Sequence, residues 1–132
     1  MKRRVFFYVQ HLLGIGHLKR AATLARSLAQ QFEVTLVSGG HTVPDLNLGQ
    51  AVLYQLPPTR ATDLYFKVLV DEHDQPIDDD WRRRRRQALL AAYREIAPQA
   101  LLFELFPFGR RQMRFELLPL LQEAAAAKPR PL

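Results

Sequence analysis

The sequence predicts an α/β fold: a Rossmann-like parallel sheet with helices on both faces. Three observations carry this. Arg4–Val9 is β-branched and aromatic, and apolar at successive positions, the pattern of a strand covered on both faces. A glycine loop and an amphipathic stretch follow it directly. Further apolar runs then alternate with helical periodicity, the signature of parallel strands joined by helical crossovers.

Each element follows in order. From His17 to Gln30 the apolar residues Leu18, Ala21, Ala22, Ala25, Leu28 and Ala29 recur at helical spacing. Phe32–Ser38 reads as a second strand, closed by Gly39-Gly40, and Ala51–Leu56 as a third, stopped by Pro57-Pro58. Leu64–Ile77 reads as a short extended excursion or hairpin. Asp78–Asp80 supplies helix caps of the sign the dipole prefers, for a helix from Asp79 to Ile96 ended by Pro98. Gln99–Leu105 is a fourth strand and Pro107–Arg111 a loop. A last helix spans Gln112–Ala126, with a kink expected at Pro119.

The 132 residues suffice for one domain, residues 1–132. The final Lys128-Pro-Arg-Pro-Leu132 falls where the next strand of such a fold would start, so a truncated domain is expected. Cysteine is absent, which excludes disulfides, thiolate metal sites and a cysteine nucleophile and fits a cytoplasmic setting. The net charge of +6 and pI near 10.2 call for an anionic partner: nucleic acid, lipid head groups at the inner face of a membrane, or a phosphorylated substrate. MKRR followed by VFFYV imitates a signal peptide, but Gln10 and His11 break the apolar run early.

The candidate site begins at QHLLGIGHLKR. Gly14 and Gly16 follow the first strand at the carboxyl edge of the sheet, where ligands bind, and the next helix offers free N–H groups to an anion. Glycine there lets a phosphate or sugar approach the backbone closely; the competing reading is a bare tight turn. The dinucleotide motif G-x-G-x-x-G fails at Lys19, and Ser38-Gly39 stand where its carboxylate belongs. The P-loop motif is absent.

At a helix N-terminus the dipole favours a neutral imidazole for His17, which suits a general base; a capping histidine is the plainer alternative. His11 and His17 do not match metal-ligand spacing, and His41 and His73 read as isolated, so no metal and no cofactor are expected. Glu104 ends the fourth strand at the same edge as a second candidate base, or as an ion-pair partner of Arg110 or Arg111. Gly109 suggests a special backbone conformation, and Arg110 and Arg111 could grip a phosphate or carboxylate.

WRRRRR, from Trp81 to Arg86, spreads over more than a helical turn, since each residue rotates by about 100°. Arg82, Arg85 and Arg86 continue the sheet-facing line of Leu89, Tyr93 and Ile96 and are expected to emerge near the ligand edge. Arg83 and Arg84 face solvent, offset by Asp78–Asp80 and Glu72. The run reads as a solvated face, with acceptor contact second and nucleic acid last, since no stacking aromatic platform accompanies it.

FYVQHLLGIGHLKRAATLARSLAQQFEVTLVSGG together with ELFPFGRRQMRFELLPLL resembles the N-terminal half of a predicted bacterial glycosyltransferase family. That family is similar to the MurG-like and UDP-glycosyltransferase group with the GT-B fold. The resemblance covers Arg4 to about Ala125. It implies two Rossmann-like domains facing a cleft, with a sugar, lipid or small-molecule acceptor held mainly by the N-terminal one. The nucleotide-sugar donor is held mainly by the C-terminal one, which this chain lacks. Carried over, Gly14, Gly16 and His17 occupy the glycine loop and its histidine, which contacts the acceptor or acts as base; Gly39, Gly40, Gly109, Arg110, Arg111 and Arg82 complete the expected binding set. The chain alone would then be inactive. A nucleotide-sugar 2-epimerase of the same fold, or a non-catalytic anion- or RNA-binding module, are the alternatives.

Overall fold

A computed structural model describes residues 2–63, 68–105 and 109–132. Strands β1 (Arg4–Gln10), β2 (Glu33–Ser38), β3 (Val52–Gln55) and β6 (Ala100–Leu105) form one parallel sheet in the order β3-β2-β1-β6. Helix α1 (Gly16–Leu28) links β1 to β2, and α2 (Asp79–Ile96) carries the chain back to the far side of β1. The short β4 (Arg60–Ala61) and β5 (Leu69–Val70) pair antiparallel beside the sheet. After β6 come a single turn, α3 (Gly109–Gln112), and α4 (Arg114–Ala126).

The alternation of β1 sorts the core into two layers. Val5, Phe7 and Val9 pack against α1 through Leu18, Ala21 and Ala25, with Val34 and Leu36 of β2 on the same face. Phe6 and Tyr8 pack on the other face against Leu89, Ala92 and Tyr93 of α2 and Leu117, Leu120 and Ala124 of α4. Every β1 residue from Val5 to Gln10 is buried, as an apolar central strand requires. The expected α/β sheet with helices on both faces is therefore present.

The boundaries differ in ways that have causes. Asp78 caps α2, its Oδ1 accepting from the Trp81 amide at 2.8 Å, and Ala97 leaves the helix left-handed just before Pro98. The excursion is a hairpin that starts earlier than its apolar residues indicate, at Arg60; of the expected Leu64–Ile77 stretch, residues 64–67 lie outside the described residues. The last helix begins at Arg114 rather than Gln112, because α3 forms a separate turn. Helix α4 continues through Pro119, flanked by buried Leu117 and Leu120. Leu132 donates to the Gln99 carbonyl and accepts from the Leu101 amide, at 2.9 and 2.8 Å, which seats it beside the start of β6. Among the described residues no helix is long and apolar enough to cross a membrane.

Candidate functional site

Sheet register brings the two candidate acid–base residues together. Glu104 of β6 is level with Val9 of β1, and odd-numbered β1 residues face α1. His17, in the first turn of α1, lies over that same face at the carboxyl edge. Its Nδ1 is 3.1 Å from Glu104 Oε1, and both side chains are partly exposed. A carboxylate only accepts, so this contact needs the proton on Nδ1 and makes Nε2 the basic nitrogen of the neutral ring. Arg20 Nη2 lies 3.2 Å from the same Nδ1. A protonated Nδ1 cannot accept from it, so in this tautomer Arg20 acts on the pair through its charge. Glu104 thus has a histidine partner, where the sequence left a choice between a base and a partner of Arg110 or Arg111.

Gly14, Ile15 and Gly16 form the exposed approach to this pair. Gly14 has φ +66°, a left-handed conformation that disfavours a side chain. Among the described residues, a Cβ at Gly14 or Gly16 would meet no neighbouring atom within 4 Å. The Ile15 cap makes no side-chain hydrogen bond to the first turn of α1. Gly39 and Gly40 are different: both are buried, a Cβ on Gly39 would fall on the Arg85 guanidinium and the Gln10 amide, and one on Gly40 would fall on the His11 ring. Their lack of a side chain is used by the protein's own packing. Arg111 is exposed, Gly109 and Arg110 open α3, and the side chain of Arg110 lies with Phe106–Phe108 outside the described residues.

His41 is not isolated. Burial lowers the pKa of His11 from its ordinary value, and the charges of His41 and His17 lower it further, so three histidines share this edge. His73 is mostly exposed, 3.9 Å from Glu72. Among the described residues no group of three or more potential ligands could hold a metal ion.

The arginine run divides by helical position. Arg83 pairs with Asp80 and Arg84 with Glu72, both near solvent as their spacing predicts. Arg82 pairs with Asp79 at 3.2 Å and borders a cavity of about 260 Å³ with Leu69, Ile77 and Gln112. Arg86 is half-buried. Arg85 does not emerge at the edge as expected; it is fully buried. The reason is Glu116 of α4, equally buried, whose Oε2 is 2.9 Å from Arg85 Nε and whose Oε1 is 3.0 Å from Nη2. Tyr8 donates to the same Oε1 at 2.6 Å. The guanidinium also donates to Gln10 Oε1 at 2.5 Å and to the carbonyls of Gly39 and Pro57 at 3.3 and 3.0 Å. Trp81 lies against it, ring centroid to Cζ 5.4 Å. Burial raises the pKa of Glu116, while Arg85 opposes that rise.

Sequence reasoning missed Glu116, Tyr8 and Gln10 as one network. The signal was present: Glu116 interrupts the apolar spacing of Met113, Leu117, Leu120 and Ala124, and Arg85 interrupts that of Trp81, Leu89 and Ala92. Two opposite charges on two buried stripes are a pair in waiting. No family model matches the chain, and no curated protein matches it in sequence.

Proposed function

We propose that this chain is the acceptor-side domain of a glycosyltransferase, moving a sugar from a nucleotide-sugar donor to an acceptor hydroxyl. The observation that carries this reading is the 3.1 Å contact of His17 Nδ1 with Glu104 Oε1 beside an open glycine loop at the carboxyl edge. A carboxylate that holds Nδ1–H orients the ring and stabilises the imidazolium formed when Nε2 takes a proton. In this reading the acceptor hydroxyl sits against Gly14–His17. Its oxygen bonds to the anomeric carbon as the carbon–phosphate oxygen bond breaks. The hydroxyl proton passes to His17 Nε2, and the nucleoside diphosphate leaves with the bonding electrons into the partner domain. The uncapped amides of α1 and the arginines near this edge suit an anionic group. Donor binding belongs to a second Rossmann-like domain, so a single-domain product would bind acceptor without turning over donor.

The test is turnover. The product of the complete reading frame is assayed for transfer and hydrolysis over a panel of nucleotide sugars, together with its His17→Ala variant. Turnover that falls in the variant while donor binding persists supports the reading. Unchanged turnover sinks the base role. Interconversion of the donor without an acceptor would make the protein an epimerase. Binding of any polyanion with steep salt dependence, and no turnover, would make it an anion-binding module.

A further inference from the structure

We infer that Arg85 is a positioning residue: through its buried guanidinium it sets the geometry of the loops that leave β1, β2 and β3 at the carboxyl edge of the sheet. The inference rests on reading this edge as the one that binds substrate. Its geometric basis is separate from the His17–Glu104 contact.

Four segments meet at one planar group. Gln10 ends β1, and its Oε1 accepts from Arg85 Nη2 at 2.5 Å. Its Nε2 donates onward to the carbonyls of His11 and Thr59, at 2.9 and 3.3 Å. Gly39 follows β2; its carbonyl accepts from Arg85 Nη1 at 3.3 Å and from the Thr59 amide at 3.0 Å. Pro57 follows β3 and accepts from the same Nη1 at 3.0 Å. Glu116 holds the other side of the guanidinium from α4. Only a rigid fork of donors serves carboxylate, amide and two carbonyls at once; an ammonium on a flexible stem cannot span them.

The effect reaches the histidines through contact. Gly39 leaves no room for a Cβ because the guanidinium and the Gln10 amide fill that space. Gly40, next along, has its α-carbon against the His11 ring. His11 Nδ1 is buried there with no hydrogen-bond partner among the described residues. Where Gly39 sits therefore decides how closely His11 is walled in, and His41 follows directly on the same loop. A buried ion pair is a weak source of stability compared with apolar packing of equal volume, so geometry is the stronger account of why a charge sits here.

The experiment uses the free protein, without ligand, labelled with ¹⁵N in its histidines. Arg85→Lys keeps the charge opposite Glu116 but loses the fork. A triple variant, Tyr8→Phe with Arg85→Met and Glu116→Leu, removes the polar network and refills its volume. The expected result is cooperative unfolding in both, with the imidazole signals of His11 and His41 displaced and the His11 titration moved up toward its ordinary value. Exposed His73 serves as the internal reference and stays in place. If Arg85→Lys does not fold, the triple variant alone decides. Folded variants with wild-type His11 signals would overturn the inference. So would failure of both variants to fold, because the network would then be a folding element. With no donor or acceptor present, the outcome stands whichever way the transfer assay falls.

Discussion

Nδ1 of His17 lies 3.1 Å from Oε1 of Glu104, two residues 87 positions apart that the β1–β6 register sets on one face of the sheet. Against an ionised Glu104, the contact calls for the ring proton on Nδ1. We expect ¹⁵N spectra of the free protein to show His17 mainly as the Nδ1–H tautomer, and Glu104→Leu to abolish that preference. If the proposed transfer reaction holds, His17→Ala should lower turnover by about 10²- to 10⁴-fold, the range of a lost general base. Glu104→Gln should cost less, since an amide oxygen still accepts from Nδ1–H but carries no charge to stabilise imidazolium.

The glycines should separate by what surrounds them. Gly14→Ala is expected to destabilise by about 1 kcal/mol, from its left-handed backbone alone. Gly40→Ala should cost about 1–3 kcal/mol by forcing the His11 ring to move. Gly16→Ala has free space and starts a helix, so it should leave stability unchanged or improved. Urea denaturation checks all three. Any ligand affinity lost in Gly16→Ala without a stability loss would measure close approach of the ligand to the backbone.

Removing one partner of the buried pair should be severe. Glu116→Ala leaves the Arg85 guanidinium buried without its carboxylate, and about 3–5 kcal/mol of stability should go with it. Glu116→Gln keeps the shape and an acceptor for Tyr8, and should lose less. Denaturant midpoints at constant slope would read the difference.

Stability should also depend on pH through His11. Its folded pKa lies below the ordinary 6.5, because burial, then His41 and His17, resist its charge. The unfolded chain therefore takes up a proton that the folded chain refuses. The His11 contribution is complete above the ordinary value and is lost progressively as pH falls from there toward the lowered folded value. Thermal melts from pH 7.5 down to 5 should show the wild type losing more stability than His11→Gln. Equal losses would remove His11 as the cause.

What could be read from the sequence was whatever depends on local pattern. The central strand, the α1 face, the Asp78 cap and the Pro98 stop are all written in adjacent residues, and all appear. That Arg83 and Arg84 face solvent also followed from helical geometry, with Asp80 and Glu72 as their offsetting acids. Partners across the sheet were not legible in that way. Glu104 could be placed at the carboxyl edge, but only the β1–β6 register selects His17 for it. Arg85 read as an edge residue because its stripe was clear and its acid, 31 positions on, was not. Gly39 and Gly40 read as ligand cradles like Gly14 and Gly16; only the packed structure shows that their space is taken by Arg85, Gln10 and His11.

The chain distances within the Arg85 network carry a consequence for how the molecule assembles and comes apart. Its partners stand 75 positions away at Gln10, 46 at Gly39, 28 at Pro57 and 31 at Glu116. Each contact needs only its own two segments, but the complete network needs β1, β2, β3, α2 and α4 all docked. A network that needs so many docked segments is expected to complete late in folding, which φ-values near zero for its variants would check. Weakening it should then leave the folding rate nearly untouched and show its cost in faster unfolding, so that the guanidinium acts as a latch on the finished fold.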